Sequence, residues 1–228
     1  MKEIQRATCA SCPLPKAERI CINAKGKGPK GCPTLFKRDL REEALTEYRR
    51  EEIGEFARQA SIQEAECYGG RQDSPPIRWP LKPRIQETCE FARKMGYTRL
   101  GLVFCAGLVQ EGKLVSDILE AQGFEVVSVI CKVGSIPKEE IGIEEDEKVR
   151  IGEYESMCNP ILQAKVLNNA ATEFNIAMGL CVGHDSLFFK YAEAPTTVLV
   201  AKDRVTGHNP IGAIYTSGSY YYKLHHRE

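Results

Sequence analysis

The sequence has no surplus of charge of either sign and no long apolar run. Its 228 residues hold 31 lysines and arginines against 31 aspartates and glutamates, a net charge of zero. A balanced field gives no reason to expect a nucleic acid or an anionic membrane as the main partner. No stretch approaches the ~18 apolar residues that span a bilayer, and the opening MKEIQRATC lacks the apolar core of a secretory signal. The expectation is a soluble, cytoplasmic protein with no membrane partner. A dinucleotide fingerprint is missing too. The turn after the first regular apolar strand reads CAGLVQEG, without Gly-x-Gly-x-x-Gly, which counts against a nucleotide-binding enzyme.

Cysteine, in contrast, is plentiful, at ten residues. A reducing cytosol disfavours structural disulfides, so metal binding or redox chemistry becomes the leading use of any clustered set. Four of the ten form Cys9-x2-Cys12-x8-Cys21-x10-Cys32, within a segment of few apolar side chains that ends in AKGKGPKGCP. A Cys-x2-Cys pair presents two sulfurs to one ion from a tight turn, and two more thiolates complete a tetrahedral set of the kind zinc and iron–sulfur clusters both accept. Coordination would also supply order that burial cannot. The competing reading is a flexible tail with free thiols. Cys12-Pro13 and Cys32-Pro33 tilt the cofactor toward iron–sulfur over zinc, although the spacing is not the ferredoxin run.

The chain divides by pattern into a metal-binding lobe at residues 1–34, a helical segment and linker at 35–82, and an α/β domain at 83–228. In the helical segment Leu45, Tyr48, Phe56, Ala57 and Ala60 share a side at roughly helical spacing, and GGRQDSPPIRWPLKP after it is turn-rich. Beyond Pro83, amphipathic helices alternate with the strands RLGLVFC, EVVSVIC, IAMGLCV and TTVLVA. The helices include RIQETCEFARKMG, EGKLVSDILEAQG, HDSLFFKYAEA and NPILQAKVLNNAATEFN, the last with Asn159 as N-cap. Nearly all-apolar strands in such an alternation predict a three-layer, Rossmann-like parallel sheet.

Placing the strands reveals a second constellation. Cys105, Cys131 and Cys181 fall at the carboxyl ends of three strands, and Cys158 lies just before a helix on the same rim. Ligands of open α/β sheets bind there. Four thiols at that place would bind a metal or cluster, or provide a reactive thiolate; if they form one site, their sulfurs must converge. The competing reading is packing, since cysteine is often buried as a small hydrophobe. His184, Asp185, Lys202, Asp203, Arg204, His208 and Asn209 follow the third and fourth strands. His184 and Asp203 are the candidate catalytic groups, with Asp185 also readable as a cap and His208-Asn209-Pro210 as a turn. Cys67 and Cys89 read as core.

Taken together, CASCP, GCPT, GLVFCAGL, VICKVGSIP, CNPILQA and LCVGHDSLFFKYAEAPTTVLVAKDRVTGHNP resemble the DUF1847 family over nearly the whole chain. The resemblance implies a cysteine-rich, predicted metal-binding prokaryotic protein with no established reaction. The leading expectation is a metal protein with a second thiol-rich site at the strand ends, performing redox or sulfur chemistry on a small molecule or with a redox partner. The alternative is a non-enzymatic binding or metal-carrier module with structural zinc in the lobe and packing cysteines in the domain.

Overall fold

In the computed structural model of the chain, residues 6–75 and 77–226 are described. They form two compact units that divide after Ala65.

The first unit begins with short 3-10 turns at Cys9–Ser11 and Lys16–Glu18 and continues into α1 (Pro33–Phe36), α2 (Arg38–Tyr48) and α3 (Glu51–Glu66). The helical segment is thus two helices broken at Arg49–Arg50, with an Arg50–Glu47 ion pair of 2.8 Å at the turn. The apolar side expected along it is not a buried stripe: Leu45, Tyr48 and Ala60 are exposed, and only Phe56 and Ala57 are half-buried.

The second unit opens with a small antiparallel pair, β1 (Tyr68–Gly69) and β2 (Trp79–Pro80), in the segment the proline content marked as linker. There follow α4 (Arg84–Lys94), β3 (Arg99–Phe104), α5 (Val109–Ala121), β4 (Glu125–Ile130), α6 (Pro160–Asn169), β5 (Phe174–Met178), α7 (His184–Tyr191), β6 (Thr196–Val200) and α8 (Pro210–Tyr215). The last four strands form one parallel sheet in the order β4-β3-β5-β6. Helices α4 and α5 end at Gly96 and Gly123, both at positive φ, as the Gly stops in the sequence indicate.

Helix α6 ends earlier than its apolar pattern suggests. Ala171 turns left-handed, and Phe174 and Asn175 belong to β5, so Gly179 at φ +62° and Cys181 lie in the loop beyond the strand.

Leu100, Leu102, Val103 and Ile176 are fully buried, each worth about 1.5–3 kcal/mol by transfer from water. Alternate strand residues face opposite ways. Val103, Val129 and Ala177 pack with Ala164 and Leu167 of α6 and Phe188 of α7. On the other side Phe91 of α4 meets Phe174, and Gly112 of α5 sits so close to Phe104 that a Cβ there would be 3.1 Å from the ring.

This winding positions the site. From β3 the chain passes over α5 to β4 on one side, then over α6 to β5 on the other, so the order reverses beside β3. The crevice at such a reversal, outside the carboxyl ends of the strands, is where open α/β sheets bind ligands. Cys105 is the first residue after β3.

Candidate functional site

The register carries two cysteines to the crevice side by side. Phe104 pairs with Ile130, so Cys105 and Cys131 are the next residues along neighbouring strands, and the Cys131 N–H donates to the Phe104 carbonyl at 2.9 Å. Helix α6 brings the third. Its N-cap Asn159 receives the Leu162 N–H at 2.9 Å and donates its own N–H to the Cys131 carbonyl at 2.7 Å. One turn on, the fully buried Gln163 donates from Nε2 to the Val129 carbonyl at 2.7 Å. These bonds fix the start of α6 over the ends of β3 and β4, and Cys158 precedes the cap.

Cys131 thus has Cys105 and Cys158 as thiol neighbours, close enough that its thiol bears on the acidity of both. Cys131 has one proton and serves one acceptor at a time. It is buried, whereas Cys105 and Cys158 are half-buried. Cys105 Sγ also receives the Lys202 ammonium at 3.2 Å and the Gly107 N–H at 3.5 Å, and Cys131 Sγ receives the Ala106 N–H at 3.2 Å.

These contacts separate the three acidities. The Cys131 hydrogen bond first, then the Gly107 N–H and the Lys202 charge, hold the Cys105 thiol down to about 4 against the opposing effect of burial. The Cys131 bond, with the charges of Lys132 and His184, holds Cys158 down to about 6. Cys131 is pushed up by its thiol neighbours, Cys105 first and then Cys158, and by desolvation. The arrangement favours a thiolate at Cys105, with the protonated Cys131 thiol beside it and the Lys202 cation on its sulfur. A thiolate is the nucleophilic form of cysteine.

The remaining rim residues have distinct jobs. Cys181 Sγ receives the Arg204 guanidinium at 3.0 Å. His184 begins α7, and its Nδ1 is buried without a partner. The cap of α7 is Gly183 rather than Asp185, whose Oδ1 accepts from Gly183 N–H at 3.0 Å and Ser186 N–H at 2.8 Å. Asp203 Oδ1 accepts from Val205 and Thr206 N–H, both at 2.9 Å, which holds its carboxyl below the usual range and commits that oxygen to the loop turn. His208, at φ +66°, accepts from the Asp203 N–H at 3.2 Å in the same turn. Cys67 and Cys89 are buried, as core cysteines should be.

Lys132 and Gln163 were not singled out by sequence. Lys132 adjoins Cys131 and was detectable as a cation at a strand end, whereas Gln163 sits on a helix face with no distinguishing spacing.

In the first unit Cys9, Cys12, Cys21 and Cys32 all line one cavity of about 80 Å³. The 3-10 turn presents the first two, with Cys12 N–H donating to the Cys9 carbonyl at 3.3 Å. Arg19 braces the loop by donating to the carbonyls of Leu14 at 2.8 Å and Cys12 at 3.2 Å. Among the described residues no three His, Cys, Asp or Glu side chains are grouped so that they hold a metal ion as they stand. The donor chemistry nevertheless fits a thiophilic metal: four thiols and no carboxylate face the cavity, with Arg19 and Lys27 beside them. Between residues 6 and 37 seven lysines and arginines stand against one glutamate. That local surplus suits the negative charge of a metal bound by four thiolates.

The fold and site define a mixed α/β protein with cysteines gathered at the carboxyl end of a parallel sheet. The chain belongs to the DUF1847 family, described as protein of unknown function, whose model matches residues 32–199. It is also 43% identical over 187 residues to an uncharacterised protein of Methanocaldococcus jannaschii, covering 82% of this chain and 88% of that one. The matched family segment contains Cys105, Cys131, Cys158 and Cys181 and begins at Cys32. Among the described residues no helix is long and apolar enough to cross a membrane.

Proposed function

We propose that this is a metal-binding cytoplasmic protein whose Rossmann-like domain performs thiol-dependent redox or sulfur chemistry on a small molecule, with Cys105 as the nucleophile. One observation carries the reading: Cys105 Sγ receives the Lys202 ammonium at 3.2 Å. Packing alone does not require a lysine to direct its charge at a sulfur. Electrostatic stabilisation of the thiolate at neutral pH is what nucleophilic cysteine chemistry requires. His184, beside Cys158 and with Nδ1 unpartnered, is the proton carrier. Cys9, Cys12, Cys21 and Cys32 would hold the metal; zinc would supply order, and an iron–sulfur cluster would add an electron route.

The test is the rate of iodoacetamide alkylation at each cysteine as a function of pH. Cys105 is expected to react at a rate that is level from about pH 6 upward and falls only near pH 4, following its thiolate fraction. If Cys105 instead follows the profile of an ordinary thiol, rising through pH 8–9, the nucleophile assignment fails and the binding-module reading replaces it.

A further inference from the structure

We propose that Cys105 and Cys131 form a working dithiol that reduces an anionic low-molecular-weight disulfide, Cys105 attacking and Cys131 resolving. The inference rests on the nucleophilic reading of Cys105 and goes beyond it by naming the second thiol and the substrate class.

Four observations support it. Cys105 and Cys131 extend the paired register of β3 and β4 by one residue, and neighbouring strands lie about 4.7–4.9 Å apart, within the range of about 4.4–6.8 Å that a disulfide needs between Cα atoms. Their thiols are close enough to shift each other's acidity in opposite directions, Cys105 down and Cys131 up. Their exposure is unequal in the useful direction: Cys105 is half-buried and Cys131 is 3% exposed, so a substrate reaches the first sulfur and the second waits behind it. Finally, Lys132 follows β4, and Lys202 and Arg204 share the loop after β6, the last two donating to sulfur. That concentration of cations selects for carboxylate-bearing substrates.

The chemistry balances as follows. The Cys105 thiolate attacks one sulfur of R–S–S–R, forming a Cys105–S–S–R mixed disulfide and releasing R–S⁻. Cys131 passes its proton to the neighbouring Cys158 thiolate and attacks Cys105 Sγ. The Cys105–Cys131 bond forms as the second R–S⁻ leaves. The substrate gains two electrons and the dithiol loses two. Thiol–disulfide exchange with an external low-molecular-weight thiol restores the dithiol.

Glutathione disulfide, an anionic disulfide, is the probe. Reduced full-length protein is mixed with it anaerobically, quenched with acid and mapped by mass spectrometry. Wild type should yield a Cys105–Cys131 disulfide and two equivalents of glutathione, whereas Cys131→Ser should stop at one equivalent with the mixed disulfide retained on Cys105. The wild-type map needs no variant, so a folding defect in Cys131→Ser does not protect the proposal. A mixed disulfide persisting on Cys105 in wild type, or a Cys105 bond to any other cysteine, overturns the dithiol while leaving Cys105 a nucleophile. Failure of Cys105 to react with iodoacetamide as well overturns the nucleophilic reading itself. Lys202→Met with Arg204→Met should slow reaction with glutathione disulfide far more than with neutral hydroxyethyl disulfide; equal slowing removes the anionic preference.

Discussion

At the scale of single residues, the lysine on Cys105 is the contact that decides between a packed and a reactive cysteine. Lys202 comes from 97 positions away in sequence, so no local pattern announces the pairing. Removing the cation while keeping the stem, in Lys202→Met, should move the midpoint of Cys105 alkylation upward by roughly 1–3 pH units, the ordinary effect of an opposite charge at this range. An unmoved midpoint would mean that the Cys131 bond and the Gly107 amide suffice. The cysteines were legible because strand ends can be counted from apolar runs. The division of labour among them was not, because it depends on side-chain partners that strand placement does not specify. Thus Cys105 takes Lys202 and Cys181 takes Arg204, pairings that counting strand ends does not reveal.

At the scale of elements, the site is only as rigid as the start of α6. The Asn159 cap is readable directly from Asn-Pro, and it both closes the helix and carries Cys158 to the site. Asn159→Ala should cost about 0.5–2 kcal/mol in urea unfolding, the usual range for a lost cap, and should also raise the alkylation rate of Cys131 by loosening the cover over it. A variant as stable as wild type would assign the positioning to Gln163 alone.

The acidic loop before α6 shows why net charge is a poor guide to a segment. Lys148, whose side chain is only 4% exposed, pairs with Glu139 at 2.5 Å and Glu145 at 2.6 Å. Its ammonium holds both carboxyls below the usual range. The sign follows: groups with lowered folded-state pKa values stabilise above their ordinary value of 4.5, and that contribution disappears as pH falls through the lowered values. Amide exchange in residues 139–153 should therefore accelerate on acidification below about pH 4.5 in wild type. In Lys148→Ala it should already be fast at pH 7; equal protection in the two proteins would assign the loop's order to its backbone bonds. The early end of α6 escaped the apolar pattern because Phe174 and Asn175 satisfy helix and strand spacing alike, and burial within the sheet decides between them.

At the scale of the whole molecule, overall neutrality conceals a basic first segment, and two thiol sets occupy separate compact units. The Cys-x2-Cys spacing made the first set legible, and the cavity that its four residues line follows from the turns at Cys9–Ser11 and Gly31, the latter at φ +93°. Because its order is expected to come from coordination, Cys9→Ser/Cys12→Ser should lose about one metal equivalent and become protease-sensitive before residue 34, with the second unit still folded. Unchanged metal content would exclude the lobe as the site.

The two sets are assigned different chemistry, one sequestered by metal and one reactive. The most direct measurement is residue-resolved alkylation of anaerobically purified, natively folded protein at about pH 6, where ordinary thiols are almost wholly protonated. Cys105 should be labelled first, with Cys9, Cys12, Cys21 and Cys32 protected until the metal is removed. Rapid labelling of the four lobe cysteines with Cys105 left unmodified would contradict both halves of the assignment at once.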